Sequence, residues 1–174
     1  SRGWKFCFIG GLAVQAWSEP RYTRDVDVTL LTGFGGEEPF VAELLAKYEA
    51  RIVDAMAFAL THRVLLLRDH RGIGIDIALA ALPFEEEVVE RAKRVEVHPG
   101  VELRMCSPED LIVMKAFAGR EQDWRDVAMT IVRMGVHDLD WSYIQSRLEP
   151  LAAAKEAPEI MDHLEALRRK SAGP

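Results

Sequence analysis

The sequence predicts an α+β fold in which a mixed α and β core precedes an all-helical region. Residues 5–105 alternate between strand-like and helix-like patterns, whereas residues 108–169 carry helical patterns only. A chain of 174 residues is long enough for one domain, or for one domain with a helical appendage. We therefore expect an α/β core at residues 1–106 and a C-terminal helical region, packed on that core, at residues 107–174.

The composition is that of an ordinary globular protein, with 49% hydrophobic and 29% charged residues. No apolar run reaches the roughly 18 residues that a membrane span needs, so we expect a cytoplasmic protein with no membrane partner. Cys7 and Cys106 each lie in or beside a strand-like apolar run, which favours two buried thiols over a disulfide. A net charge of −6 argues against a nucleic-acid binder with a dominant basic surface.

The first elements of the core are predicted from apolar periodicity and from the residues that interrupt it. Asp25–Leu31 alternates so that Val26, Val28 and Leu30 share the buried face of a strand. The other elements predicted in this part, in chain order, are a strand at 5–9, a helix at 12–17 ended by Pro20, a glycine-rich loop at 32–38 and a helix at 39–50.

The second part of the core begins with a predicted β-hairpin. Apolar runs at 63–68 and 73–79 are joined by Asp69–Gly72, a polar segment typical of a turn. A helix at 83–93 follows, and its three glutamates at 85–87 suit the positive end of a helix dipole. Short strands are then predicted at 95–97 and 101–105, on either side of His98-Pro-Gly100.

The helical region opens with a strong start signal. Ser107 is the predicted N-cap, Pro108 is the first helical residue, and acidic residues fill the first turn. The helices predicted here span 108–118, 122–134, 141–148 and 158–169.

Two aspartates in the second strand are the main candidates for chemistry. Asp25 and Asp27 are separated by one apolar residue, so in a strand they share a face, about 6.5 Å apart. Two carboxylates this close repel each other unless cations lie between them. Asp76, flanked by strand-forming residues, completes a three-carboxylate cluster if its strand is a neighbour of the first. Asp69 is the less favoured candidate because it lies at the predicted turn.

A pair of glycines lies upstream of the aspartates. Gly10 and Gly11 stand where a strand turns into a helix, and such a turn allows backbone N–H groups to approach phosphates closely. Arg21, Thr23 and Arg24 lie between the glycines and Asp25, where they can contact phosphates or only hold the loop.

The combined pattern resembles the nucleotidyltransferase superfamily that includes DNA polymerase beta. Its signature is an apolar residue, Gly-Gly or Gly-Ser, a spacer, and Asp-x-Asp with apolar flanks; here it reads Ile9-Gly10-Gly11, then Asp25-Val-Asp27-Val28. The closer resemblance is to nucleotidyltransferase toxins of the AbiEii type and their uncharacterised bacterial relatives, which show Gly-Gly-x-Ala and then Arg-x-Thr-x-Asp-x-Asp. This chain has Gly10-Gly-Leu-Ala13 and Arg21-Tyr-Thr-Arg-Asp-Val-Asp27.

These toxins also carry a later helical motif of Lys, Arg and Asp. Here Lys115 leads into Arg120-Glu-Gln-Asp123 and Asp126. On one continuous helix Lys115, Gly119, Asp123 and Asp126 lie near a common face. The alternative is an exposed helix face with internal ion pairs, each worth tenths of a kcal/mol.

The resemblance implies a fold, a cofactor and a set of roles. It implies a small mixed or antiparallel sheet flanked by helices. Asp25, Asp27 and Asp76 are expected to be catalytic and to bind two Mg²⁺ ions, or Mn²⁺. Gly10, Gly11, Arg21, Thr23, Lys115 and Asp123 are expected to contact the nucleotide.

The expected reaction moves a nucleoside monophosphate from a triphosphate to an acceptor hydroxyl and releases pyrophosphate. Three interpretations stay open. The chain is the toxin of a toxin–antitoxin pair, with tRNA as acceptor and an antitoxin protein as partner; or it modifies a small antibiotic of the aminoglycoside kind; or it binds a nucleotide or a partner without turnover. RNA, protein and small molecules are all candidate acceptors.

Overall fold

The computed structural model describes residues 3–173, in which a seven-stranded mixed sheet is accompanied by eight helices. The strands are β1 Phe6–Phe8, β2 Asp25–Leu31, β3 Glu49–Ala50, β4 Val64–Arg68, β5 Gly74–Ala80, β6 Lys93–His98 and β7 Val101–Met105. The helices are α1 Gly10–Trp17, α2 Glu38–Leu45, α3 Ala55–His62, α4 Pro83–Arg91, α5 Pro108–Ala118, α6 Glu121–Met134, α7 Trp141–Ala154 and α8 Glu159–Ala172.

The strand order in the sheet is β3-β4-β5-β2-β1-β7-β6. The pairs β2–β5 and β1–β7 are parallel, and the other four pairs are antiparallel. The α+β fold with a mixed sheet that the sequence predicts is therefore confirmed.

The chain forms two compact units. The first contains the chain up to Leu12 together with Tyr22–Cys106, and therefore holds the whole sheet. The second contains Ala13–Arg21 and the chain from Ser107 onwards. The last part of α1 and the loop after it thus belong with the C-terminal helices.

In the first unit, one face of the sheet is packed against α2 and α3. Leu30, Leu65 and Ile77 on this face are buried with Val41 and Ala59 from the two helices. Because side chains alternate along a strand, Asp25 and Asp27 lie on the opposite face. A slip of one residue would turn these carboxylates into the core, so burial of the apolar face fixes where they point.

Two local features of this part of the chain differ from the prediction. The helix predicted to reach residue 50 ends at Leu45, because Glu49–Ala50 pairs instead with Leu67 and Arg68 of β4. The helix α3 was not predicted, since Ala55 and Ala59 are the only residues that it buries fully. Both features depend on pairing and packing with distant residues, which a local pattern does not contain.

The second unit is built on α5 to α8. Ser107 caps α5 as predicted, because its Oγ accepts a hydrogen bond from the backbone N–H of Asp110. The separate helices predicted at 108–118 and 122–134 are confirmed to within one residue, since Gly119, with φ of +73°, ends α5 in a left-handed conformation. No helix within residues 3–173 combines the length and hydrophobicity required of a membrane span.

Candidate active site

The candidate site is built on the parallel pair β2–β5. In the register of this pair, Asp27 lies opposite Asp76 and Asp25 lies opposite Gly74. Residues that face each other across two strands point to the same side of a sheet. The three aspartates named from the sequence therefore gather on one face, at the ends where both strands begin.

The two glycines before the aspartates enclose the carboxylate of Asp27. Gly11 donates its backbone N–H to Asp27 Oδ2 at 3.2 Å. A Cβ atom on Gly10 would stand 2.1 Å from the same oxygen, and the φ of Gly10 is +57°, which disfavours any other residue. The glycine pair thus permits the carboxylate to approach the first turn of α1.

Two further small contacts shape the first unit near Asp25. Thr23 donates its hydroxyl to the backbone carbonyl of Asp25 at 3.1 Å, and a Cβ on Gly11 would stand 2.3 Å from that hydroxyl oxygen. A Cβ on Gly74 would stand 2.0 Å from Asp25 Oδ1. Gly74 is therefore part of the site. Sequence analysis missed Gly74. It lies two residues before Asp76, but nothing in the local pattern sets it apart from an ordinary residue of the strand.

One basic residue that sequence analysis missed, Arg51, lies among the carboxylates. It follows β3, and its guanidinium donates from Nη2 to Asp76 Oδ1 while Nη1 is 3.9 Å from Asp25 Oδ1. No local signal identifies it, because Arg51 is adjacent to Asp76 only through the pairing of β3, β4 and β5.

Asp76 differs electrostatically from an ordinary aspartate. Burial raises its pKa above the usual value of 3.8; the Arg51 guanidinium opposes this effect, and the charges of Asp27 and Asp25 reinforce it. A carboxylate with a raised pKa is a stronger base than a solvated aspartate, which suits it to accept a proton. Asp69, the rival candidate, instead closes the β4–β5 turn by accepting hydrogen bonds from the N–H groups of Arg71 and Ile73.

The donor set fits divalent metal ions. Three carboxylates on one face supply the oxygen ligands that Mg²⁺ and Mn²⁺ prefer, and the missing side chains of Gly10 and Gly74 leave room for Asp27 and Asp25. Within residues 3–173 no three acidic, His or Cys side chains are already drawn together as a ligand cage. Arg51 compensates part of the negative charge of Asp25 and Asp76.

The other predicted residues form a separate cluster inside the second unit. Lys115 Nζ lies 2.8 Å from Asp123 Oδ1 and 2.9 Å from Asp126 Oδ2. Arg21 makes a bidentate pair with Asp126, through Nε and Nη2, with both distances at 3.0 Å. Despite the break at Gly119, the folding of α6 back on α5 brings the Lys115 and aspartate side chains together.

Both aspartates of this cluster accept hydrogen bonds from further polar side chains. Arg120 donates from Nε to Asp123 at 2.6 Å, and Gln122 donates to Asp126 at 3.1 Å. Burial acts to raise the pKa of each carboxyl, but the hydrogen bonds and charges of the basic partners prevail and lower it below 3.8. These residues are arranged as a buried ion network.

The structure thus divides the predicted residues into two groups. Gly10, Gly11, Thr23, Asp25, Asp27 and Asp76 come together in the first unit, and Arg21, Lys115 and Asp123 come together in the second. Asp126, which was named only as part of the helical motif, is the residue that joins Arg21 to Lys115.

A mixed sheet that presents carboxylates beside a glycine pair at a helix start defines a protein of the nucleotidyltransferase class. The chain belongs to the family described as nucleotidyltransferase of unknown function (DUF6036), whose family model matches residues 2–165.

Two solved structures are similar to this chain at low sequence identity. The antibiotic-resistance factor ANT(2'')-Ia is 18% identical with a TM-score of 0.54, and the match covers 89% of this chain and 87% of that one. An antigenic nucleotidyltransferase-like protein from Paracoccidioides brasiliensis is also 18% identical, with a TM-score of 0.49 and coverage of 94% and 85%. No curated protein is significantly similar in sequence.

Proposed function

We propose that the chain is a metal-dependent nucleotidyltransferase that moves a nucleoside monophosphate from a triphosphate to an acceptor hydroxyl. The observation that carries this proposal is the placement of Asp25, Asp27 and Asp76 on one face of the pair β2–β5. Three carboxylates on one face repel one another, and a cation between them relieves that repulsion. Membership of the nucleotidyltransferase family supports the same chemistry.

Each of the three aspartates in the first unit has a role in this proposal. Asp25 and Asp27 would hold two Mg²⁺ or Mn²⁺ ions, with Asp76 holding the ion nearer the acceptor. When bound, these ions neutralise phosphate charge and orient the triphosphate. Asp76 takes the proton of the acceptor hydroxyl while the hydroxyl oxygen forms a bond to the α-phosphorus. The bond from that phosphorus to the bridging oxygen breaks, and pyrophosphate leaves with the bond electrons.

The groups predicted to contact the nucleotide divide into two kinds. The start of α1, at Gly10 and Gly11, presents a positive helix end, which favours a phosphate, although the Gly11 N–H is donated to Asp27 in this structure. Arg21, Lys115 and Asp123 remain predicted nucleotide contacts, although their polar groups are engaged in the ion network of the second unit.

Two acceptors are proposed. The first is the 3′ hydroxyl of an RNA such as tRNA, as in a toxin of the AbiEii type that an antitoxin protein would neutralise. The second is a small cationic acceptor of the aminoglycoside kind. The net charge of −6 weighs against a polyanionic acceptor, and Lys115 and Arg21 are already paired with Asp126; both observations favour the second.

The test offers each α-labelled nucleoside triphosphate, with Mg²⁺ or Mn²⁺, to three acceptor sets: total RNA, purified proteins and a panel of aminoglycosides. Label transfer and pyrophosphate release are measured together. We expect both to appear with one acceptor class and to fall about 10³-fold in Asp27→Asn, because that change removes a metal ligand and its charge.

The matched control is Asp69→Asn, which makes the same chemical change at the β4–β5 turn, outside the cluster. Its activity is expected to stay within about twofold of the parent, since the asparagine oxygen can still accept the two backbone hydrogen bonds of the turn. Absence of transfer to every acceptor, with nucleotide binding retained, would favour the non-catalytic interpretation and overturn the proposal.

A further inference from the structure

Arg51 occupies a position that the topology of the sheet prescribes. Its backbone N–H donates to Leu66 O at 3.0 Å, which continues the pairing of β3 with β4. Leu66 lies opposite Asp76 on β5, and Asp76 lies opposite Asp27 on β2. These four residues form one row across the sheet, so their side chains share a face. The Arg51 side chain reaches Asp76 across the intervening strand.

The guanidinium of Arg51 contacts two carboxylates from different strands. It donates to Asp76 Oδ1 and lies 3.9 Å from Asp25 Oδ1. Gly74 leaves the space for this arrangement, because a Cβ there would stand 2.0 Å from Asp25 Oδ1 and 3.1 Å from Arg51 Nη1. The arginine therefore binds the same carboxylate oxygens that the proposed function gives to a divalent ion.

A second feature of Arg51 indicates another ligand for it. Its Nε is buried and has no hydrogen-bond acceptor in the described part of the chain. A guanidinium has five donors in a planar fork, and a phosphate group accepts from two of them at once. Its side chain is 29% exposed, so the fork is within reach of a ligand at the carboxylate face.

We propose that Arg51 is an internal counter-ion that competes with the metal and is released to the triphosphate. This inference rests on the proposed function and adds an order of binding to it. Before nucleotide binds, the guanidinium holds Asp25 and Asp76 and weakens their affinity for a free divalent ion. When a metal–triphosphate complex arrives, its phosphate oxygens accept the guanidinium and free both carboxylates, so metal and nucleotide bind cooperatively.

The test measures binding of Mn²⁺ to the whole chain by electron paramagnetic resonance, with and without an α,β-methylene nucleoside triphosphate. For Arg51→Gln we expect Mn²⁺ alone to bind roughly tenfold more tightly, because a positive charge about 4 Å from the ligands is gone. The triphosphate analogue, in the presence of Mn²⁺, is expected to bind roughly tenfold more weakly, because its guanidinium partner is lost.

Arg68→Gln is the matched control. Arg68 belongs to the neighbouring strand β4 and pairs with Glu49 at 3.4 Å, so both affinities are expected to stay within about twofold of the parent. Arg51→Lys serves if Arg51→Gln does not fold: a lysine retains the charge but lacks the fork, so only the analogue affinity is expected to fall.

The outcomes separate the two proposals. Suppose that the parent binds Mn²⁺ together with the analogue. If Arg51→Gln then binds Mn²⁺ alone no more tightly than the parent does, this inference fails and the proposed function stands. With a folded Arg51→Lys as the only variant, an unchanged analogue affinity overturns the inference. If the parent binds no Mn²⁺ even in the presence of the α,β-methylene analogue of each of the four nucleoside triphosphates in turn, both proposals fail.

Discussion

The molecule contains two clusters of aspartates and basic residues that look alike in sequence and differ in their electrostatics. In the first unit Asp25 and Asp76 share one guanidinium, and their side chains are 47% and 33% exposed. In the second, Asp123 and Asp126 have side chains only 1% and 4% exposed.

The two clusters also differ in how far their charge is compensated. The buried aspartates of the second unit share three basic partners, Lys115, Arg120 and Arg21. The pKa of Asp76 is raised, whereas the pKa values of Asp123 and Asp126 are lowered. A site that binds cations needs unsatisfied negative charge, whereas a network that stabilises a fold needs its charges satisfied. The comparison supports the proposed ligand chemistry of the first unit, and for the buried network of the second unit it leads us to expect a contribution to stability.

The largest effect is expected from Lys115→Met. This change leaves two buried carboxylates without the cation that joins them, and removal of one partner from a buried ion pair costs about 3–5 kcal/mol. Urea unfolding of the variant measures the loss. The exposed pair of Lys47 with Glu43 provides the control, because Lys47→Met is expected to cost less than about 0.5 kcal/mol. Equal, small losses in both variants would contradict the structural role of the network.

The next largest effect is expected from Asp76→Asn, and it concerns activity instead of stability. Transfer is expected to fall at least about a hundredfold, since the group that receives the acceptor proton is lost. The free energy of unfolding is expected to stay within about 1 kcal/mol of the parent, because the carboxylate that is removed was destabilised by burial. A large loss of stability with retained activity would reverse the comparison.

The smallest effect is a difference in the sign of the pH dependence of stability. Because the folded pKa values of Asp123 and Asp126 are lowered, their stabilisation is present above the unfolded pKa of about 3.8 and is lost as the pH falls through the lower folded values. The folded pKa of Asp76 is raised, so its destabilisation is present above that pKa and is relieved as the pH falls through it.

Urea unfolding in a metal-free buffer between pH 3 and pH 6 separates these contributions. Asp76→Asn is expected to steepen the net loss of stability on acidification, since its relieving contribution is gone. Asp126→Asn is expected to flatten it. The same change of slope in both variants would show that the two clusters do not titrate in opposite senses.

The sequence predicts well those features that depend on neighbouring residues. The alternation of apolar and polar residues predicts a strand at Asp25–Leu31, and β2 has the same bounds in the structure. The N-cap at Ser107 likewise predicts the start of α5. Both signals are local: side-chain alternation in a strand, and a hydroxyl that binds the first turn of a helix.

Features that depend on distant pairing were not predicted. Glu49–Ala50 has the composition of a helix end and becomes a strand because β4 pairs with it. Arg51 enters the carboxylate cluster through the same pairing. Lys115 and Asp123 come together by the packing of two helices and not along one, because Gly119 ends the first. In each case the deciding contact joins residues that the local pattern treats as unrelated.

The parallel pairing of β2 with β5 also has a consequence for the order of folding. Parallel neighbours cannot be joined by a tight hairpin, and here α2, β3, α3 and β4 intervene between the two strands. Contacts of such long sequence separation form slowly, because the intervening chain must be ordered first. During synthesis the carboxylates of β2 therefore remain apart from Asp76 until β5 has left the ribosome, and no shorter nascent chain assembles the three-carboxylate face.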